Sequence, residues 1–183
     1  MWLFFFTFTK IKVMRQITIN STTGNEIITA QDVKDFVRID TSADDSLITL
    51  MIETARMFCE NYISRDIVAK NRTYYLDKTE TGLIDLPFSP VASIASVTVN
   101  DIATTYEVIG LNNETIELDG GAAEKVKITY TTSGISNGLI KQAVLQSVST
   151  YYDNRADFIQ GQSLHLLPSA AKNLLASYKS MFV

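Results

Sequence analysis

One cysteine, Cys59, and one histidine, His165, are all the chain holds of the side chains that most often bind metals or attack substrates. A lone cysteine closes no intramolecular disulfide, and with a single histidine it builds no zinc module, so secreted disulfide scaffolds and Cys/His metal folds are excluded. Cations are also scarce. Lys plus Arg number 16 against 20 acids, a net charge of −4, which leaves no reserve of positive charge for tight binding to nucleic acid. No long apolar run exists either. The stretch Met1 to Phe8, MWLFFFTF, falls well short of the ~20 residues a membrane-spanning helix needs. Lys10, Lys12 and Arg15 follow it instead of preceding it, and no A-x-A site appears, so it does not read as a secretory signal. Met14 opens a more conventional start, and residues 1–13 are set apart as an apolar leader or start-site extension. Also missing are G-x-G-x-x-G, the P-loop, G-x-S-x-G, H-E-x-x-H and C-x-x-C, so no common catalytic or nucleotide-binding framework is present.

What remains is the composition of a folded protein, with 46% hydrophobic and 20% charged residues over 183 positions, enough for one ordinary domain. Charge is unevenly spread. Residues 1–28 and 137–183 each carry +2, which leaves the body between them at −8. An acidic surface of that kind repels phosphate backbones and favours solubility.

Periodicity divides the body into three segments. In the first, Ile17 and Ile19 alternate with polar neighbours as in a short strand. Thr29 with Asp32 three residues later then predicts a capped helix from Ala30 to Arg38. Asp40, Thr41 and Ser42 offer a second cap. Beyond them Leu47, Met51, Ala55, Phe58 and Tyr62 recur at steps of three or four, one face of a long helix ending near Ile63, with Ile48, Ile52 and Cys59 widening the stripe. Cys59 on such a stripe reads as core filler. The second segment, about Arg72 to Ser133, alternates with period two in six pieces separated by Asn100-Asp101, Asn112-Asn113 and Gly120-Gly121, which predicts six short antiparallel strands as a sheet or small barrel. Pro87 and Pro90 interrupt or edge it. The third returns to helical spacing: Ile140, Val144, Ser147 or Val148, and Tyr151 on a helix capped at Ser136 or Asn137, then a shorter helix from Pro168 with Ala171, Leu174, Leu175 and Tyr178. The connection between them, Asp153 to Leu167, is longer than a compact helix pair needs. The fold class is therefore α+β. A small helical core, the long second helix on two C-terminal helices, carries an inserted antiparallel β segment. In residue terms this is one domain over 14–183, helical over 29–66 and 137–183, with the β insertion at 72–133.

Chemistry-bearing residues are few. Asp44 and Asp45 with Glu53 and Glu60 invite a carboxylate metal site, yet acids at a helix start are explained by capping and the helix dipole. His165 has no neighbouring nucleophile or orienting acid. The expectation is no catalytic residue, no metal and no cofactor. Tyr74, Tyr75, Tyr106 and Tyr130 put aromatics on strands and keep a small ligand- or carbohydrate-binding β module open as an alternative, to be tested by their exposure.

The phrases ITAQDVKDFVRID, DDSLITLMIETARMFCENYISRDIV, IDLPFSPVASIASVTVND, VKITYTTSG, IKQAVLQSVSTYYDNR and LLPSAAKNLLASYK, in that order, resemble the head-tail connector, or head-completion adaptor, proteins of long-tailed double-stranded DNA phages and prophages. The matching positions are Val33, Lys34, Val37 and Arg38; Asp44, Asp45 and Leu47 at the entry to the long helix; and Glu60, Tyr62 and Arg65 at its end. They continue with Leu86, Pro87, Pro90, Val91, Ser93, Ile94 and Val97, and then Tyr152, Asn154 and Arg155. The resemblance covers Ile17 to Lys179. It implies a non-enzymatic structural protein of the virion, made in the bacterial cytoplasm, that assembles with itself into a twelvefold ring. Its partners would be the portal protein on one side and a stopper or tail-completion protein on the other, with DNA passing through and no membrane involved. The candidate interface residues are Arg155, Phe158, Ile159, Leu164 and Leu166 in the long connection, and Lys179 and Phe182 in the tail. They combine apolar groups with few charges beside helix ends.

Overall fold

The computed structural model describes residues 14–154 and 168–180, which form four helices and eight strands. Strand β1 (Arg15–Thr22) comes first, then helices α1 (Ala30–Val37) and α2 (Asp45–Ile63). Next come β2 (Lys70–Thr79), β3 (Leu83–Asp85), β4 (Val91–Val99), β5 (Ile102–Ala103), β6 (Tyr106–Ile109), β7 (Thr115–Leu118) and β8 (Ala123–Thr132). Helix α3 (Gly138–Asp153) and helix α4 (Ser169–Leu175), the latter running into a 3-10 turn (Ala176–Tyr178), complete the described elements. The α+β class is as expected.

Helix α1 starts where its cap demands. Thr29 Oγ1 accepts the Asp32 amide at 3.2 Å and the Thr29 amide donates to Asp32 Oδ2 at 2.6 Å, a reciprocal box that satisfies two otherwise orphaned donors. The expected cap of α2 at Asp40, Thr41 or Ser42 is not found. Asp44 holds the N-cap position without a side-chain cap bond, and the Thr41 hydroxyl accepts from Ala43 within the preceding turn instead. Helix α3 is capped by Asn137, whose side chain accepts from the Ile140 amide at 3.0 Å.

On α2 the buried stripe is Ile48, Ile52, Ala55, Cys59 and Ile63, while Leu47, Met51, Phe58 and Tyr62 lie half-buried beside it. The deepest line thus runs one residue over from the expected one, because α3 and α4 both pack on α2 and the residues between those contacts sink furthest. With Val33, Ile140, Val144, Val148, Ala171 and Leu175 they form the helical core.

The strands make two antiparallel sheets rather than one sheet or a barrel: five strands in the order β1-β2-β8-β4-β5, and three in the order β3-β7-β6. Between Arg72 and Ser133 there are seven strands, not six; β5 is only two residues long, too short to leave a period in the sequence. Strand β1, ahead of the helices, closes one edge of the larger sheet by pairing with β2. Alternation along β2 and β8 turns Tyr74, Leu76, Val126, Ile128 and Tyr130 inward against Ile84, Leu86, Ile116 and Leu118 of the smaller sheet's side, a second core distinct from the helical one.

Candidate functional site

The helical core and the sheet core meet at a cluster of buried charges, and α2 builds one half of it. The helix ends at Ser64, whose φ of 54° turns the chain back. That reversal brings the amides of Ile67 and Val68 to Glu60 Oε1, at 3.0 and 3.2 Å. One helical turn earlier, Arg56 Nη1 donates to Glu60 Oε2 at 2.9 Å, while Arg56 Nε donates to both oxygens of Glu26 at 2.8 and 2.9 Å. Strand β2 supplies the other half. Its inward period-two positions begin with Lys70 and Arg72 before they become apolar at Tyr74. Lys70 Nζ donates to Glu60 Oε2 and, at 3.1 Å, to Asp66 Oδ1. Arg72 takes Asp66 by both oxygens, and Thr132 of β8 adds a hydroxyl to Asp66 Oδ2 at 2.8 Å.

Three cations, Arg56, Lys70 and Arg72, thus meet three carboxylates, Glu26, Glu60 and Asp66; all but Glu26 are buried. Charges are tolerated away from water only when paired and hydrogen-bonded, and this set meets both conditions. The proline phrase closes the cluster from outside. Between β3 and β4, with Leu86 and Val91 buried, Pro87 and Pro90 flank Phe88, whose ring centroid lies 3.8 Å from the Arg72 guanidinium carbon. The Pro87 carbonyl accepts the Tyr130 hydroxyl at 2.6 Å. Of this cluster, sequence reasoning singled out Glu60 alone. Arg56 and Glu60 stood four apart within an otherwise apolar helical stripe, and Asp66, Lys70 and Arg72 stood at even spacing before an apolar strand face; both patterns signalled buried pairs.

Of the expected interface residues, Lys179 is described: it is exposed, with its Nζ 5.1 Å from the ring centroid of Tyr62. Arg155, Phe158, Ile159, Leu164, Leu166 and Phe182 lie outside the described residues, as does His165. The final turn of α3 is capped by Asn154, whose amide and side chain both donate to the Thr150 carbonyl. Beside it, Leu47, Leu50, Met51, Thr54, Phe58, Tyr151 and Asn154 line an open apolar groove of about 390 Å3 between α2 and α3.

The remaining candidates have structural employment. Asp45 pairs with Lys34 at 2.8 Å and Asp44 accepts the Tyr152 hydroxyl at 2.7 Å, which, with Glu60 committed to Arg56 and Lys70, disperses the supposed carboxylate site. Cys59 is fully buried, and burial pushes its thiol up to about 12, so it is a poor nucleophile. Tyr74 and Tyr130 are core residues, which takes two of the four strand tyrosines away from any bound sugar. Among the described residues no helix is long and apolar enough to cross a membrane.

A family model described as "head completion protein" matches residues 26–181. No curated protein matches the chain. Among solved structures, a chain in the neck of an empty gene transfer agent particle, computed with C6 symmetry, superposes with a TM-score of 0.72 at 16% identity, covering 92% of this chain and 97% of that one. A chain from the virion of a native gene transfer agent particle gives 0.69 at 17% identity over 91% and 96%. One from a native neck computed with C12 symmetry gives 0.63 at 16% identity over 88% and 97%.

Proposed function

The chain belongs to the head completion protein family, and from that premise we propose that it is the head-tail connector of a phage or phage-like virion. It is a structural component. In this reading copies assemble into a ring beneath the portal protein, receive a stopper or tail-completion protein on the far side, and leave a passage for DNA. Assembly takes place in the host cytoplasm, and the finished ring resides at the head-tail interface. Residues 14–183 act as one connector domain, with the 72–133 strands as its insertion.

The observation that carries the reading is the family match across residues 26–181, nearly all of the described chain. Three features support it. The fold is shared with chains from particle necks over about nine-tenths of this chain and nearly all of theirs. The net charge of −4 suits a wall past which a duplex slides without sticking. Among the described residues, the buried charged side chains are tied up in holding two cores together. In the interface, the tail beyond Tyr178 and the connection from Asp153 to Leu167 meet the portal, with Lys179 pairing an acidic group there or on a neighbour.

Addition of the purified chain to DNA-filled heads that lack it tests this reading. The expected result is that heads gain a ring visible by electron microscopy, retain their DNA and become competent to join tails. Heads that neither bind the protein nor change in tail joining overturn it.

A further inference from the structure

The three-stranded sheet turns one face to solvent with an unusual arrangement. Its registers align Leu83, Glu117 and Glu107 in one row and Asp85, Thr115 and Ile109 in the next, and all of these except half-buried Thr115 are exposed. Glu107 and Glu117 are direct cross-strand partners, so two like charges face one another, and neither has an ion pair among the described residues. Such a pair destabilises the sheet that carries it. No relief lies nearby in sequence: between Lys78 and Lys125 the chain has eight carboxylates and no lysine or arginine. At the β6–β7 turn Leu111 is 101% exposed, and Glu114 buries its Oε2 with no donor among the described residues.

Helices α3 and α4 have the opposite character. Over residues 137–154 and 168–180 they and their flanks carry Lys141, Lys172 and Lys179 against Asp153 alone. None of the three lysines has an ion pair among the described residues. One chain therefore presents an anionic face with apolar corners on the sheet module and an excess of lysines on the helical module, with Lys141 close enough to Asp32 of α1 to stabilise its charge. A head-to-tail ring requires two different, mutually complementary surfaces on each copy.

We propose that the outer face of the three-stranded sheet, centred on Glu107 and Glu117, docks against the α3–α4 lysines of the next copy. This rests on the ring reading above and names its contact. Docking brings cations to a carboxylate pair that lacks them, while Leu83, Ile109 and Leu111 supply the apolar part of the interface. The like-charge pair is a cost in the free subunit that the neighbour removes.

The test uses the full chain in sedimentation velocity at low and high salt, alone and with portal rings. Glu107→Lys with Glu117→Lys should weaken self-association more than about tenfold, and Lys141→Glu with Lys172→Glu and Lys179→Glu should do the same. Mixing the two variants should restore assembly, because each then offers the surface the other lost. Added salt should weaken wild-type association. Glu107→Gln with Glu117→Gln separates docking from folding: relief of the like-charge pair should hold or raise the thermal midpoint while association falls. Rings that form unchanged in both charge-reversed variants, or a mixture of folded variants that fails to assemble, overturn this contact and leave the ring reading intact. A wild-type chain that stays monomeric with and without portal overturns the ring reading and the contact with it.

Discussion

Asp66 and Arg72 meet in a two-point ion pair, Nε donating to Oδ2 at 2.8 Å and Nη2 to Oδ1 at 2.6 Å, across the boundary between the helical core and the sheet. Asp66 follows the last turn of α2 and Arg72 is the third residue of β2, so this pair fixes the direction in which the sheet leaves the helices. A planar guanidinium matched to a carboxylate holds an angle as well as a distance.

Removing one partner of a buried pair strands the other, at a cost of about 3–5 kcal/mol. Asp66→Ala leaves Arg72 and Lys70 with too few carboxylates and should lower the unfolding free energy by that amount in urea denaturation. Asp66→Ala combined with Arg72→Met should cost less than the two single changes added together. Additivity within error would show that the two residues act independently.

Gly134 joins β8 to α3 with φ of 71°, and a Cβ there would sit 2.7 Å from the Ile67 carbonyl oxygen. Both the left-handed backbone and the contact penalise any side chain. Gly134→Ala should therefore destabilise by more than about 1 kcal/mol in thermal or chemical denaturation. An unchanged midpoint would mean that the β8–α3 connection is free to shift away from Ile67.

The cap of α1 is testable at acid pH. Thr29 hydrogen bonds, through backbone and hydroxyl, hold the Asp32 carboxyl below its ordinary 3.8. Its stabilisation is complete above that value and disappears as pH falls through the lower, folded one. Thr29→Ala should cost about 1 kcal/mol at neutral pH, and the acid-side decline of stability should be shallower in the variant. Parallel pH profiles would remove Asp32 from the account.

At the alkaline end, burial raises the Cys59 thiol from 9.0 to about 12 and the Tyr151 phenol from 10.0 to about 12. Groups raised on folding stabilise below their unfolded values and cease to do so as pH climbs through the folded ones. Stability should fall as pH rises from about 9, and Cys59→Ala should flatten that decline. Native Cys59 should also resist a thiol reagent at pH 8 until denaturant is added; prompt labelling of the folded chain would contradict its burial.

Excision of residues 72–133 with a short linker bears on the insertion proposal. It removes Arg72 and Thr132, which leaves Asp66 with Lys70 alone, so the helical core should unfold cooperatively but at lower stability, and Asp66→Asn in the shortened chain should recover part of the loss. Loss of the helical circular dichroism signal in both shortened chains would count against an insertion.

How far the sequence could be read follows from the range of the forces involved. Local signals sufficed for α1, where Thr29 and Asp32 sit three apart, and for the turns around Asn100 and Gly120, because each is settled within a few residues. The division into two sheets leaves no local signal in the sequence. Nothing in Ile102 and Ala103 announces a strand, and β1 joins an edge about fifty residues further along, a pairing decided by tertiary contact. The depth of the α2 stripe was off by one position, since which of Leu47 or Ile48 sinks deeper depends on where α3 and α4 land. The ionic cluster was the largest omission. Its members come from the segment before α1, from α2, from the loop after it and from β2, and only folding brings Glu26 to Arg56 across thirty residues.

The matched charges at the junction also constrain how the sequence can drift. A substitution at Arg56, Glu60, Asp66, Lys70 or Arg72 leaves an opposite charge buried without its counterpart, so single changes there are heavily penalised while paired ones are not. Across a deep set of homologous sequences these positions should covary as a block, with whole charge pairs lost or exchanged together. Glu26, which is more exposed at 36%, should wander more freely than the rest.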